Sequence, residues 1–255
     1  MKCEIPVSVV RRTVILLRAL NRHALSTPEQ LHQETGLPKA TISRMLQALQ
    51  QEGLVVKARY GSYYVTAGVV MLASGFRGEP KLVQAAKPVA DALTREIRWP
   101  VAVGVPDQGE LVVRYATTSL SPLTFFHAPV GMRLSLVSHA MGRAYLAHCT
   151  ATERSLLLHL VGSASREIDL LAGDAQAVST TLREVRRKGF ALRYTGLRPE
   201  SSTIAVPVLE SRRAIGALGL TWFTSVMKPG VAEQKFLPAL KDAAREVSRR
   251  LKHQE

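Results

Sequence analysis

The chain has 255 residues and a formal net charge of +14 at pH 7. This length is sufficient for two domains with separate hydrophobic cores, and the positive charge favours an anionic partner such as nucleic acid. Residues 1–80 hold 10 basic and 5 acidic side chains, and residues 81–255 hold 24 and 15. Because the excess is not confined to one segment, it supports nucleic-acid binding only weakly and would also suit an anionic ligand.

Several classes of protein are disfavoured by composition. Two cysteines, Cys3 and Cys149, cannot form a disulfide framework and are typical of a reducing compartment, so we expect a cytoplasmic protein. No cluster of Cys, His and carboxylate residues has metal-ligand spacing, and we expect neither a metal nor a cofactor. We expect neither an N-terminal signal nor a membrane span, since no apolar run approaches the roughly 18 residues that a span requires.

Residues 26–53 have the pattern of a helix-turn-helix. Thr27 is suited to the N-cap of a first helix, Pro28 to its first position and Gln30 to a capping box, and Gly36 suits its end. A second helix follows and ends at Gly53. Its buried stripe has the spacing i, i+3, i+4, i+7 and consists of Ile42, Met45, Leu46 and Leu49. An upstream amphipathic helix would supply the third wall of the domain with Val10, Val14, Leu16, Leu17 and Leu20.

The polar face of the second helix carries side chains suited to DNA recognition, namely Lys39, Ala40, Thr41, Ser43, Arg44 and Gln47. An arginine can donate to both acceptors of guanine, and a glutamine matches the edge of adenine. An ordinary solvated helix face is the alternative. The short spacing between the two helices, together with the hairpin that follows them, favours DNA recognition.

Strands predicted at residues 54–56 and 63–65 would form a hairpin behind this helix. The connection is basic and aromatic and carries Lys57, Arg59 and Tyr60, which are suited to phosphate contacts that position a protein on DNA. A solvated hairpin is the alternative. Residues 1–66 together predict a winged helix-turn-helix domain that places one helix in the major groove of double-stranded DNA.

Residues 67–80 are predicted to be a linker, with a short helix at residues 69–73, and residues 81–255 to be a second domain. Helices are predicted at residues 82–97, from a Ser138 cap through residue 146, at 153–161, from an Asp174 cap to Gly189, and at 231–252. Strands are predicted at residues 101–105, 111–115, 124–127, 190–193, 202–209 and 215–222. This order indicates an α+β domain around an antiparallel sheet.

The last predicted strand places Ala217, Gly219 and Thr221 on one face of the sheet. Small side chains aligned in this way leave room for either a closely packed helix or a ligand.

A catalytic site is not indicated. His148 and Cys149 are adjacent and point in different directions, so they do not form a nucleophile–base pair by themselves. His127 and His139 flank a turn without a paired carboxylate, and no phosphate-binding glycine motif is present. We therefore expect a protein that is not an enzyme.

Three segments resemble the IclR family of bacterial regulators: TGLPKATISRMLQALQQEGLV, APVGMRLSLVSHAMGRAYLA, and VRRKGFALRYTG followed by SSTIAVPV and AIGALGL. The resemblance covers nearly the whole chain and is greatest to members that activate the degradation of aromatic acids. It implies a winged helix, a linker helix and a GAF-like effector-binding domain. It also implies a homodimer or homotetramer, a near-palindromic operator and a small organic acid as effector.

The resemblance further implies the positions of an effector pocket, at Leu123, Phe126, Leu134, Ala140, Met141, Arg193, Ser201, Thr203, Gly219 and Thr221. Arg193 stands where many members have an acidic residue, and Thr203 where some have Cys. Arg133 and Arg193 are the candidates for binding a carboxylate. The prediction is a DNA-binding transcriptional regulator of a catabolic operon, controlled by a small organic acid of the aromatic class. The alternatives are a DNA-binding regulator without a ligand, and an enzyme acting on a small acid with an appended winged helix.

Overall fold

The computed structural model describes residues 9–72, 81–123, 130–164, 169, 174–194 and 196–252. The chain divides into two compact units, residues 1–78 and residues 79–255.

The first unit is a winged helix-turn-helix, as predicted. It consists of α1 (Val9–Leu20), α2 (Pro28–Thr35), α3 (Lys39–Gln51) and an antiparallel hairpin of β1 (Val55–Lys57) and β2 (Tyr63–Val65), followed by α4 (Gly68–Met71). The capping box is confirmed, since the side chain of Thr27 accepts from the Gln30 N–H and the Gln30 side chain accepts from the Thr27 N–H. Gly36 ends α2 with a φ of 68°.

The core of this unit differs from the prediction at α1. Leu16 and Leu20 are buried, but Val10 is 71% exposed and Val14 is 42% exposed. The expectation that both valines belong to the core is wrong, because only the C-terminal half of α1 carries buried residues. The first strand also begins one residue later than predicted, since the Leu54 N–H donates to the Leu49 carbonyl at 2.9 Å and extends the end of α3.

The second unit is built around an antiparallel sheet with the order β5-β4-β3-β8-β7-β6 among the described residues. The strands are β3 (Val101–Asp107), β4 (Glu110–Ala116), β5 (Arg133–Leu134), β6 (Ala191–Leu192), β7 (Ser201–Glu210) and β8 (Arg213–Phe223). The helices are α5 (Lys81–Ile97), α6 (Ala140–His148), α7 (Ala151–Ala164), α8 (Ala175–Lys188) and α9 (Pro229–Lys252). This is the α+β arrangement that the sequence predicts.

The sheet has one face of large side chains and one face of small side chains. On β8, Leu218, Leu220 and Trp222 are buried in the core that includes residues of α5 and α9. Ala217 belongs to the opposite core, which includes residues of α6, α7 and α8. The alternation follows from the two-residue period of a strand, and it allows a helix to approach the small face closely.

Two elements of the second unit differ from the sequence-based expectation. Ser138 does not cap α6, because His139 occupies the N-cap position without a side-chain cap hydrogen bond. The strand β5 was not predicted, since two residues are too short for a periodic pattern. The strand predicted at residues 124–127 lies outside the described residues. None of the described helices has the length and apolar character needed to cross a membrane.

Gly142 allows α6 to lie against the segment that precedes it. A Cβ atom at Gly142 would lie 2.6 Å from the Leu136 Cα and would also collide with the Ser135 carbonyl. Both neighbours are backbone atoms and cannot rotate away. At Gly162, on α7, the corresponding position has no described atom within 4 Å apart from its own helix backbone and chain neighbours.

We predict opposite effects of the same substitution at these two glycines. Gly142→Ala should lower the free energy of unfolding by roughly 1–3 kcal/mol, because an added methyl group forces the backbone apart. Gly162→Ala should raise it by about 0.5–1 kcal/mol, because alanine is the better helix former at an open site. Chemical denaturation of both variants tests this, and equal effects of the two would contradict the close approach of α6.

Candidate functional site

The α3 surface opposite the core carries the predicted recognition residues. Arg44 and Gln47 are exposed together with Lys39, Ala40 and Ser43, and Thr41 is half-buried. Lys39 forms an ion pair with Glu29 on α2. The N-cap of α3 is Pro38, which makes no side-chain cap hydrogen bond. The positive end of the helix is therefore suited to a phosphate group.

The hairpin of the first unit presents a basic and aromatic surface. Lys57 and Arg59 are exposed, and Tyr60 is 100% exposed with a φ of 59°. A left-handed conformation costs a non-glycine residue about 1–2 kcal/mol. Packing of the Tyr60 ring does not offset this cost, because the ring is fully exposed. The ring is therefore accessible to a partner. Contact of these residues with DNA stays a prediction.

A cavity of about 100 Å³ lies in the second unit. Eight of the ten residues predicted for the effector pocket line it: Leu123, Leu134, Ala140, Met141, Arg193, Ser201, Thr203 and Thr221. Phe126 lies outside the described residues. These eight residues belong to β5, β7, β8, the start of α6 and two connecting segments. Only the folded chain brings these segments together.

Gly219, one of the positions predicted for the effector pocket, is not among the residues that line the cavity. A Cβ atom at Gly219 would lie 2.6 Å from the Met141 Cγ, and one at Gly104 would lie 2.7 Å from the Met141 Cε. Both glycines therefore make room for Met141, whose side chain forms part of the cavity wall. Of the two alternatives for the small face, a closely packed helix is the one realised at Gly219.

The walls of the cavity are mostly apolar, with a few polar groups. Apolar lining is supplied by residues that include Trp99, Val113, Met132, Leu134 and Phe223. The two threonines are register partners on β7 and β8, and their hydroxyls are 3.0 Å apart at Thr203 Oγ1 and Thr221 Oγ1. An apolar cavity with a few converging polar groups is typical of a site for a small organic molecule.

Arg193 supplies a positive charge to the cavity. Its Nη2 donates to the Ser201 Oγ at 2.8 Å and to the Arg198 carbonyl at 3.2 Å, and it also donates to the Ser201 carbonyl. Burial lowers the pKa of Arg193 to about 10, with a contribution from the nearby charge of Arg198. Within the described residues no carboxylate forms an ion pair with Arg193. The Arg193 guanidinium is therefore suited to binding an anion.

Arg133, the other predicted carboxylate ligand, does not line the cavity. Its guanidinium forms ion pairs with Glu110 and, at 3.3 Å, with Asp107. The hydrogen bond to Glu110 raises the pKa of Arg133. These contacts hold the side chain on the surface of the β3–β5 region.

His139 lines the cavity as a neutral donor. The Ser135 N–H donates to the His139 Nδ1 at 3.1 Å, which leaves the proton on Nε2. Burial lowers the pKa of His139 to about 4, and the charges of Arg193 and Arg198 act in the same direction. Since His139 is also the N-cap of α6, the positive end of that helix faces the same space.

Sequence reasoning missed Trp99, His139 and Arg198 as lining residues. His139 immediately precedes the predicted pocket residues Ala140 and Met141, and this adjacency could have identified it. Trp99 and Arg198 belong to connections between elements, and no periodic pattern identifies such residues.

His148 and Cys149, the adjacent pair considered for catalysis, each contact a backbone carbonyl of α6. Cys149 is buried, its Sγ donates to the Leu146 carbonyl at 3.3 Å, and burial raises its pKa to about 11. His148 contacts the Ala144 carbonyl at 3.0 Å. The part of the chain that the structure describes contains no group of three or more His, Cys, Asp or Glu residues that could hold a metal ion.

Comparison with known proteins gives matches over both units. Residues 9–59 match the profile of the IclR helix-turn-helix domain, and residues 78–249 match that of the bacterial transcriptional regulator IclR C-terminal domain. The HTH-type transcriptional regulator KipR of Bacillus subtilis is 24% identical over 255 residues, which cover 96% of each chain. The transcriptional repressor IclR of Escherichia coli is 28% identical over 138 residues, so the match spans 52% of this chain and 49% of that protein.

A solved structure shares the fold. It is that of an IclR homolog from Microbacterium hydrocarbonoxydans complexed with 4-hydroxybenzoate, which is 20% identical with a TM-score of 0.60. The alignment covers 96% of this chain and 100% of that chain.

We predict that acid destabilises the protein in part through His139. Its pKa is about 4 in the folded state against a usual 6.5, so the unfolded chain binds more protons between these values. The free energy of unfolding should therefore fall by on the order of 2 kcal/mol between about pH 7 and 5 through this residue. Urea denaturation of His139→Gln should show a smaller fall than the wild type. The exposed control His159→Gln should match the wild type, and a His139→Gln variant that also matches it would contradict the assignment.

Proposed function

Because this chain belongs to the IclR family and is a DNA-binding transcriptional regulator, we propose that a small aromatic acid in the cavity controls it. We further propose that it regulates a catabolic operon for such acids. The observation that carries the proposal is Arg193, a half-buried cation in an apolar cavity, without an ion-pair partner among the described residues.

The chemistry of the cavity matches an aromatic carboxylate. The carboxylate accepts hydrogen bonds from Arg193, and the ring lies against Leu123, Leu134 and Met141. The positive end of α6 and the neutral His139 donor favour the same negative charge. The relative with 4-hydroxybenzoate binds a molecule of this class, and in this chain the hydroxyls of Thr203 and Thr221 are suited to its polar substituent.

We propose that residues 67–80 transmit the effect of the acid between the predicted domains 1–66 and 81–255. A ligand shifts such an equilibrium only if it binds one arrangement more tightly than another.

The exposed apolar residues of the first unit support a homodimer. Val9 and Val10 are each 71% exposed on α1, and Val70, Met71 and Leu72 of the α4 region are 68–74% exposed. Exposed apolar side chains that form a contiguous patch mark an interaction site. Two first units related by a two-fold axis would bind a near-palindromic operator, with the exposed face of α3 in the major groove.

Arg193→Ala should abolish binding of the acid while leaving DNA binding intact. In a thermal-shift series with benzoate and 4-hydroxybenzoate, the wild type should show a melting temperature that rises with ligand concentration. Arg193→Ala should show no rise, because the carboxylate loses its charged donor. Arg133→Ala removes an exposed arginine outside the cavity and should respond as the wild type does. A full response from Arg193→Ala would remove this residue from the site, and turnover of the acid would favour an enzyme.

Arg44→Ala should weaken specific DNA binding by roughly 1–3 kcal/mol and relax the preference at one base position. The measurement is a binding selection with randomised duplexes, followed by anisotropy titration on the selected and scrambled sequences. Arg187→Ala removes an exposed arginine on α8 of the second unit and is the matched control, which should bind DNA as the wild type does. An equal loss on selected and scrambled DNA would show that Arg44 contacts only phosphate.

The double variant Val10→Glu/Val14→Glu should have a smaller assembly mass than the wild type, because buried carboxylates would oppose pairing of the α1 faces. Sedimentation equilibrium of the full chain measures this. Val226→Glu, at a valine 63% exposed in the second unit, should leave the mass unchanged. An unaltered mass for the double variant would exclude α1 as the dimer contact.

A further inference from the structure

A second concave surface lies on the second unit, away from the residues that line the cavity. Its volume is about 550 Å³, and it runs between the turn that joins β7 to β8 and the C-terminal half of α9. We call this surface the basic groove, because it is lined by Arg212, Lys241, Arg245, Arg249 and Lys252. Among its described lining residues none is Asp or Glu, and none is Phe, Tyr or Trp.

The cations of α9 form a single stripe along the helix. Lys241, Arg245, Arg249 and Lys252 have the spacing i, i+4, i+8, i+11, which places them on one face. At 1.5 Å per residue, the stripe is about 16 Å long. Charges distributed over this length do not converge on one point, so the groove is suited to an extended polyanion rather than to a small anion.

Arg212 adds a cation on the opposite side of the groove. Ser211 and Arg212 form the β7–β8 turn with φ values of 45° and 71°, a conformation in which Gly or Asn is preferred. The turn thus holds an exposed arginine at a position where that residue type is conformationally costly. Arg212 and Lys252 form no ion pair with any residue that the structure describes.

Two of the other cations have carboxylate partners on α9 itself. Arg245 pairs with Asp242 and Arg249 pairs with Glu246. Both arginines are largely exposed, and ion pairs of this kind contribute about 0–1 kcal/mol. Such pairs can be exchanged for a phosphate contact at little cost.

We propose that the basic groove is a second DNA contact, which binds the phosphate backbone of duplex DNA without reading its sequence. The chain already binds DNA through its first unit, and a duplex presents one charge per 1.7 Å of axis along a stripe of this length. An acidic protein is a poorer match, because protein interfaces are commonly anchored by Trp and Tyr side chains, and the described lining contains neither. A DNA contact on the second unit would also account for the excess of basic over acidic side chains in residues 81–255.

The test measures the salt dependence of DNA binding by the full chain. Anisotropy titrations use a labelled duplex of random sequence at several KCl concentrations between about 50 and 200 mM. For Arg212→Ala/Lys252→Ala, the slope of log K against log salt should become shallower by about 0.9 for each phosphate contact that is lost. The charge-retaining variant Arg212→Lys/Lys252→Arg should keep the slope of the wild type.

The matched control removes the same charge elsewhere on the second unit. Arg95→Ala/Arg183→Ala deletes two exposed arginines that do not line the basic groove, and it should keep the slope of the wild type. If the groove variant has the same slope as this control, the groove does not contact DNA and the proposal fails. A melting temperature verifies folding. If the groove variant has a lower melting temperature than the wild type, Arg245→Gln/Arg249→Gln is compared with the same control. A shallower slope then supports the proposal, and a slope equal to that of the control contradicts it.

Discussion

The second unit depends on the close approach of α6 to the small face of its antiparallel sheet. Gly104 and Gly219 lie beneath Met141, and Gly142 lies against the backbone of Ser135 and Leu136. A methyl group at Gly142 would push α6 away from the preceding segment, and one at Gly104 or Gly219 would displace the Met141 side chain that packs on the sheet. Because the start of α6 forms one wall of the cavity, the size and position of the cavity follow from this contact.

The electrostatics of the cavity follow from its burial. Arg193 donates to the carbonyl and hydroxyl of Ser201 and forms no ion pair with any carboxylate among the described residues. His139 is kept neutral, since burial and the two neighbouring arginines oppose a further positive charge. The resulting site has a half-buried cation at Arg193, an exposed one at Arg198, one neutral donor and a helix N-terminus, surrounded by apolar side chains. This combination favours an anion with an apolar body over a neutral or cationic molecule.

The basic side chains of the two units have different surroundings and therefore suit different partners. In the first unit it accompanies an exposed helix face and an exposed tyrosine, a combination that suits DNA grooves and phosphates. In the second unit it divides between the cavity, where Arg193 is half-buried, and the basic groove, where the cations are mostly exposed. The net charge of the whole chain cannot distinguish these three sites, because it does not tell where the charged side chains lie or how deeply they are buried.

The sequence by itself determined the elements with strong local signals. The capping box at Thr27, the positive φ at Gly36 and Gly189 and the cap at Asp174 depend on neighbouring residues and are present in the structure. The exposure of Val10 and Val14 was decided by where the core ends, which helical periodicity does not reveal. The cavity was likewise decided by tertiary structure, because Trp99, His139 and Arg198 are distant in sequence and meet only when α6 packs on the sheet.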